Sequence, residues 1–236
     1  AERGHKVTLV EKSDKLGGLL YFTDVDVDKP DLRNFKDLLI REVDRHGVEV
    51  LLNTEVTPEF IKNFGADSII IATGSLPTHP PIKGIENAHQ AMDVYDSTFK
   101  PGKKIVMIGG GLVGCETGLH LAKTGHDVTV VEMLDRVANE SFGMYRDALV
   151  WEMGKNNMTM MPKTKCLEIG PDYVMVENAD GVQKLEADTV LYALGMKSVD
   201  YSALKEAAGD TQIQIVGDAI APGKVDQCTR SGYLAA

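Results

Sequence analysis

Part of this chain repeats itself, and that constrains its fold more than any other feature. Gly4-His5-Lys6-Val7-Thr8-Leu9-Val10-Glu11 aligns with Gly125-His126-Asp127-Val128-Thr129-Val130-Val131-Glu132, from position 4 to position 125, an offset of 121. Ala66-Asp67-Ser68-Ile69-Ile70-Ile71-Ala72-Thr73-Gly74 aligns with Ala187-Asp188-Thr189-Val190-Leu191-Tyr192-Ala193-Leu194-Gly195 at the same offset of 121. Short β-branched strands resemble one another by chance, but chance does not set two matches at one spacing. A repeat means one supersecondary plan used twice, and it bounds the architecture before any single element is considered.

The second copy is complete at its start. Lys104-Ile105-Val106-Met107-Ile108 is a continuous apolar run of the buried-strand type. Gly109-Gly110-Gly111-Leu112-Val113-Gly114 follows and fits GxGxxG. Cys115 to Lys123 predicts a helix with Leu119, Leu121 and Ala122 apolar, and Gly125 is placed to cap its end. The strand Asp127 to Val131 then ends in Glu132. A glycine signature alone is weak, but here strand, turn, helix, strand and acid stand in order, as a dinucleotide site requires. Gly109 permits the tight turn, Gly111 lets a pyrophosphate approach the backbone, and Gly114 lets the helix pack on the strand. The helix N-terminus offers unpaired N–H groups and partial positive charge to phosphate. Gly110, Leu112 and Val113 complete the expected phosphate-binding set. Glu132 is placed to accept from the adenosine ribose hydroxyls and to repel a 2′-phosphate, which favours NAD(H) over NADP(H). Arg136, a few residues on, weakens that preference, because an arginine accommodates the extra phosphate.

In the first copy, the same offset puts the glycine turn before residue 1. The expectation is therefore a first domain without its first strand, glycine turn and helix. Val225 to Ala236 reads as a helix with no stop signal, so a piece cut at both ends from a longer protein is expected. Asp31 to His46 predicts an amphipathic helix through Phe35, Leu38, Leu39 and Val43, and Val48 to Leu52, Ser68 to Ile71 and Gln212 to Val216 predict strands. Tyr173 to Asn178 and Gln183 to Ala187 predict a hairpin around Asp180-Gly181, and Thr78-His79-Pro80-Pro81 reads as a linker. The acidic stretch Asp24, Asp26, Asp28 reads as a solvated loop rather than a metal site. The expected fold class is α/β: two Rossmann-like three-layer domains, the second inserted in the first. Their expected bounds are 1–95 plus 198–236 and 96–197.

Composition narrows the function. Lys+Arg is 25 and Asp+Glu 35, a formal net charge of −10. That makes the chain a poor general binder of nucleic acid or of anionic membrane, which needs positive surface. No apolar run approaches the roughly 18 residues that span a bilayer, and the opening residues carry no apolar secretory stretch. Cys115, Cys166 and Cys228 are far apart, with no CxxC and no metal-ligand spacing. A metal-free cytoplasmic protein is expected.

The ordered set Glu11, Leu16-Gly17-Gly18, Ala72-Thr73-Gly74, Gly109 to Gly114, Ala193-Leu194-Gly195 and Gly217-Asp218 resembles the two-dinucleotide-binding-domain flavoproteins over nearly the whole chain. The resemblance implies an oxidoreductase whose first domain binds FAD and whose inserted domain binds NAD(P)H. It implies that Glu11 holds the FAD adenosine ribose, with Lys12 and Val56 in the same cofactor-binding set. Gly17 and Gly18 would pass close to the flavin diphosphate. Ala72, Thr73 and Gly74, with their repeats Ala193, Leu194 and Gly195, are implied cofactor-binding residues. Gly217 and Asp218 would contact the ribityl chain and phosphate. The helix after them would aim its positive end at the flavin's N1–C2=O edge.

The absent cysteine pair argues against the disulfide reductases. The stretch from Leu16-Gly17-Gly18 through Lys29-Pro30-Asp31-Leu32-Arg33-Asn34-Phe35 to Gly47-Val48-Glu49-Val50 is similar to one branch in particular. That branch is the C-terminal half of NADH:flavin oxidoreductases of the 2,4-dienoyl-CoA reductase and trimethylamine dehydrogenase type. The glutamate synthase small subunit is a cousin. The branch implies an N-terminal barrel in the parent chain, carrying FMN and a [4Fe–4S] cluster. Hydride would pass from NADH to FAD, and electrons onward to an enoate or dienoyl-type substrate. Hydride transfer needs no side-chain acid or base, so no catalytic residue is expected. A non-catalytic ADP-binding module, a docking module and electron transfer like that of the glutamate synthase small subunit are the alternatives. The 236 residues alone are expected to be colourless and without reductase activity.

Overall fold

A computed structural model describes residues 1–236. The chain forms two compact units: an outer unit of Ala1–Leu76 with Met196–Ala236, and an inserted unit of Pro77–Gly195. The outer unit begins with β1 (Thr8–Val10), α1 (Pro30–Arg45), β2 (Glu49–Leu51), α2 (Pro58–Phe64), β3 (Ser68–Ile71) and β4 (Ser75–Pro77). The inserted unit runs β5 (His89–Gln90), β6 (Lys104–Ile108), α3 (Leu112–Lys123), β7 (Asp127–Val131), α4 (Gly143–Lys155) and β8 (Thr159–Met161). It continues with β9 (Lys165–Ile169), β10 (Tyr173–Asn178), β11 (Gly181–Glu186) and β12 (Thr189–Tyr192). The chain then returns through β13 (Met196–Ser198), α5 (Ser202–Ala208), β14 (Gln212–Ile215) and α6 (Val225–Ala235).

In the inserted unit, β5-β12-β6-β7-β8 make one parallel sheet. Parallel neighbours need a crossover, and α3 and α4 supply it between β6 and β7 and between β7 and β8. Side chains alternate across the sheet, so one face carries Ile105, Met107, Val128, Val130 and Leu191, and the other Val106, Ile108, Val131, Val190 and Tyr192. The first face packs against Cys115, Leu119 and Leu121 of α3 and Leu149 and Met153 of α4. The second packs against Ile169, Val174 and Val176 of the antiparallel sheet β11-β10-β9. Burial on both faces explains why β6 is apolar throughout instead of alternating. Because β5 extends this sheet, residues 77–95 are part of the inserted unit, whereas the repeat alone put the boundary near residue 95.

The outer unit holds β1-β2, β3-β14 and β4-β13 as separate two-stranded pairs, the first two parallel. The acidic stretch is the solvated segment expected at Asp24 and Asp28, which are exposed, but not at Asp26. Gly18–Asp24 winds into a 3-10 helix, Asp26 is 2 % exposed and Lys36 of α1 is 5 % exposed. The Lys36 ammonium pairs with the carboxylates of Asp24 and, at 3.2 Å, Asp37. A buried ammonium requires counter-ions, and the solvent-accessible carboxylates of Asp24 and Asp37 supply them. Local composition did not contain that requirement, because Lys36 lies on a different element. No helix is long and apolar enough to cross a membrane.

Candidate dinucleotide site

The glycine turn stands at the carboxyl end of β6, beside the carboxyl ends of β7 and β12. Two of its glycines are obligatory. Gly109 has φ +99°, and a Cβ there would lie 2.3 Å from the Ala193 carbonyl oxygen. A Cβ on Gly114 would lie 1.9 Å from the Gly109 carbonyl oxygen. The turn, the first turn of α3 and the exit of β12 are therefore in backbone contact that no side chain permits. This close packing also explains why α3 begins at Leu112, three residues earlier than Cys115, the start expected from apolar pattern.

Glu132 is buried and its carboxylate joins two loops. Oε2 accepts the Gly110 N–H at 2.7 Å and Oε1 accepts the Leu134 N–H at 2.7 Å. The Gly110 carbonyl accepts the Ala138 N–H at 2.6 Å and the Cys115 thiol at 3.2 Å. Burial, with the carboxylates of Glu140, Glu132 and Glu116 adding to it, pushes the Cys115 thiol up to about 12. Cys115 is thus a protonated donor that pins the turn. Gly111 caps α3 with extended backbone, and the nearest side chain to it is Glu140, whose carboxylate accepts the Leu112 N–H. Val113 faces outward, 49 % exposed. Past β12, Ala193 donates to the Ile108 carbonyl at 2.8 Å. The carbonyls of Leu194 and Gly195 accept the Thr78 hydroxyl at 2.6 Å and backbone N–H at 3.0 Å. Arg136 donates to Asn139 at 2.5 Å and is exposed.

The residues expected to face a second nucleotide lie in the outer unit. Glu11 follows β1 and accepts the Ser13 N–H at 2.8 Å, the same bond that Glu132 makes to Leu134. Lys12 is exposed, and Val56 is half-buried between β2 and α2. Gly17 and Gly18 lead into the 3-10 helix, with Gly17 against the Lys36 methylenes and the Tyr21 ring. Ala72 and Thr73 are exposed after β3, and Gly74 follows them half-buried. Gly217 and Asp218 follow β14. Asp218 is fully engaged, accepting the Ser75 hydroxyl at 2.8 Å, the Gly223 N–H at 3.0 Å and the Cys228 thiol at 3.2 Å. The Gly217 N–H donates to the Ser231 hydroxyl at 2.8 Å.

Sequence reasoning missed Glu140, Ala138 and Ser75. None sits in a motif, and each reaches its place through a loop. A positive φ of 49° at Ala138, fully buried under the turn, has no signal in an alanine.

A parallel sheet with a glycine turn, a helix N-terminus and a strand-terminal acid at its carboxyl edge is a Rossmann-like dinucleotide-binding fold. The chain belongs to the pyridine nucleotide-disulphide oxidoreductase family, whose sequence profile matches residues 1–216. It is 35 % identical to an NADH oxidase of Thermoanaerobacter brockii, over 100 % of this chain and 38 % of the relative. It is 36 % identical to a cinnamate reductase of Clostridium sporogenes, over 84 % of this chain and 30 % of the relative. The solved structure of a 2-naphthoyl-CoA reductase complex superposes with a TM-score of 0.91 at 31 % identity, covering 98 % of this chain and 36 % of that one. The chain therefore spans well under half the length of these relatives.

Proposed function

We propose that the chain is the nucleotide-binding part of a flavin-dependent NADH reductase, with NADH held by the inserted unit. The observation that carries this reading is the Glu132 carboxylate bonded to the Gly110 N–H inside the glycine turn. It fixes an acid beside the cradle where a dinucleotide's adenosine ribose and pyrophosphate meet. The residues fit that group: Gly109 and Gly114 leave room only for backbone, and α3 points its N-terminus into the cradle. Gly111 and Leu112 would face the pyrophosphate, and Glu132 the ribose hydroxyls. When bound, NADH supplies a hydride for a flavin acceptor. The chain's own residues bind and orient it, and none has to hold a proton.

The residues of the outer unit fit FAD in part. Glu11 repeats the position and the local hydrogen bond of Glu132. Within residues 1–236 no second GxGxxG turn leads from a strand into a helix. We assign the outer unit, 1–76 with 196–236, to FAD and the inserted unit, 77–195, to NAD(H). In the parent protein an N-terminal barrel with FMN and a [4Fe–4S] cluster would receive the electrons and reduce an enoate or dienoyl-type substrate. The names of the cinnamate and 2-naphthoyl-CoA reductases support an activated alkene or arene as that substrate class. Three unpaired thiols suit a reducing cytoplasm.

Titration calorimetry of the 236-residue chain tests the reading. NADH binds, and NADPH binds at least about tenfold more weakly because Glu132 repels the 2′-phosphate. Glu132→Gln narrows that gap. Equal affinity for both nucleotides in the wild type overturns the assignment of Glu132. The purified chain is expected to be colourless. A visible flavin band that NADH bleaches would overturn the partial fit of the outer unit.

A further inference from the structure

The first turn of α3 already holds an anion. Glu140, on the segment between β7 and α4, places its carboxylate against it. Oε1 accepts the Leu112 N–H, and the same oxygen lies 2.9 Å from the position a Cβ on Gly111 would take. Bare backbone at Gly111 and a free N–H at the start of the helix are the two features such a turn offers to pyrophosphate. We infer that Glu140 occupies the pyrophosphate subsite of the ligand-free inserted unit, so that a dinucleotide binds only by displacing it. The inference rests on the reading of this unit as an NADH site.

The charges make the two occupants exclusive. A helix N-terminus stabilises one anion in its first turn, and a second anion brought alongside the first is repelled. The displacement needs a side-chain rotation and no backbone rearrangement. Glu140 is exposed, while the segment around it is anchored. Before it, the Ala138 N–H donates to the Gly110 carbonyl at 2.6 Å, and after it, the Phe142 carbonyl accepts the Arg146 N–H at 2.9 Å. Glu140 therefore lowers affinity for the nucleotide while capping α3 in its absence.

Calorimetry with NADH, ADP and adenosine, on wild type, Glu140→Ala and Glu140→Gln, tests this. Glu140→Ala is expected to bind NADH and ADP about tenfold more tightly, since a charged hydrogen bond at a helix N-terminus no longer has to be broken. Adenosine, which carries no phosphate, is expected to bind all three proteins alike. Glu140→Gln keeps an acceptor oxygen without the charge and falls between the other two. If Glu140→Ala does not fold by circular dichroism, Glu140→Gln carries the comparison. Unchanged or weaker NADH binding in the variants, with binding by wild type, overturns the inference and leaves the site reading intact. A gain for adenosine equal to that for ADP also overturns it. If neither wild type nor variants bind NADH or ADP, the site reading fails and the inference with it. Binding by the variants alone is its strongest support.

Discussion

In the inserted unit β6 lies between β12 and β7 and joins five strands into one sheet. In the outer unit the repeat equivalents of β12 and β7 are β3 and β1, each pairs with another neighbour, and no strand joins them. The consequence shows in burial. Of 27 buried hydrophobic residues, only Ile71, Ala208, Val216 and Ala219 lie in the outer unit, although the two units are of about equal length. What the outer unit buries is heavily polar: Thr23, Asp26, Lys36 and Ser75. The acids show the same contrast. Glu11 and Glu132 make the same bond two residues ahead, but the second oxygen of Glu132 also holds a glycine turn. The central strand β6 and the glycine turn give the inserted unit a dry two-sided core, while these residues of the outer unit are held by local pairs and buried charge.

Four measurements test that comparison, taken from the largest effect down. Native-state hydrogen exchange should find the amides of Met107, Val130 and Leu191 protected about 1,000-fold more than those of Leu9 and Ile70. Equal protection would mean that the outer unit is as cooperative as the inserted one. In urea, Met107→Ala should cost about 2–5 kcal/mol by cavity formation, and Leu9→Ala, half-buried in β1, about 1 kcal/mol. A larger loss at Leu9 would reverse the ranking of the two cores. Gly114→Ala puts a Cβ against the Gly109 carbonyl and should weaken NADH binding at least about tenfold. Gly17→Ala, strained at φ +126° but confined to the outer unit, should leave NADH binding unchanged.

The smallest effect concerns the thiols. Cys115 is raised from 9.0 to about 12 by burial, so the folded state holds its proton more tightly than the unfolded chain does. Its contribution to stability is complete below pH 9 and is lost as pH rises through about 12. Alkaline unfolding of the inserted unit should begin above pH 9, with Cys115 unreactive toward a disulfide reagent until it does. Cys228 of the outer unit, raised to about 11 by burial and by the Asp218 carboxylate, is half-buried and should react first. Reaction of Cys115 ahead of Cys228 at pH 8 would contradict the assignment.

The nucleotide fingerprint was readable because each of its parts is local. Lys104–Ile108 and Asp127–Val131 are the strands expected to the residue, since buried parallel strands are apolar throughout and glycine and acid bound them. The hairpin of Tyr173–Asn178 and Gly181–Glu186 was equally legible from Asp180-Gly181, with its second strand starting two residues early. The burial of Asp26 and of Lys36 was not, because a charged residue carries no local sign of being buried, nor was the anchoring of Asp218 by Ser75, 143 residues away in sequence.

By itself, the sequence determined that one dinucleotide-binding plan occurs twice and that Glu132 closes the glycine turn's βαβ unit. Hydrophobic period, glycine spacing and the repeat offset are all written along the chain. Tertiary structure alone decided which repeated strands join into a sheet, where the charged residues of the outer unit are buried, and which anion rests on α3. Those outcomes depend on which groups meet across space. The carboxylate of Glu140 reached the helix N-terminus through a loop whose path no local pattern encodes.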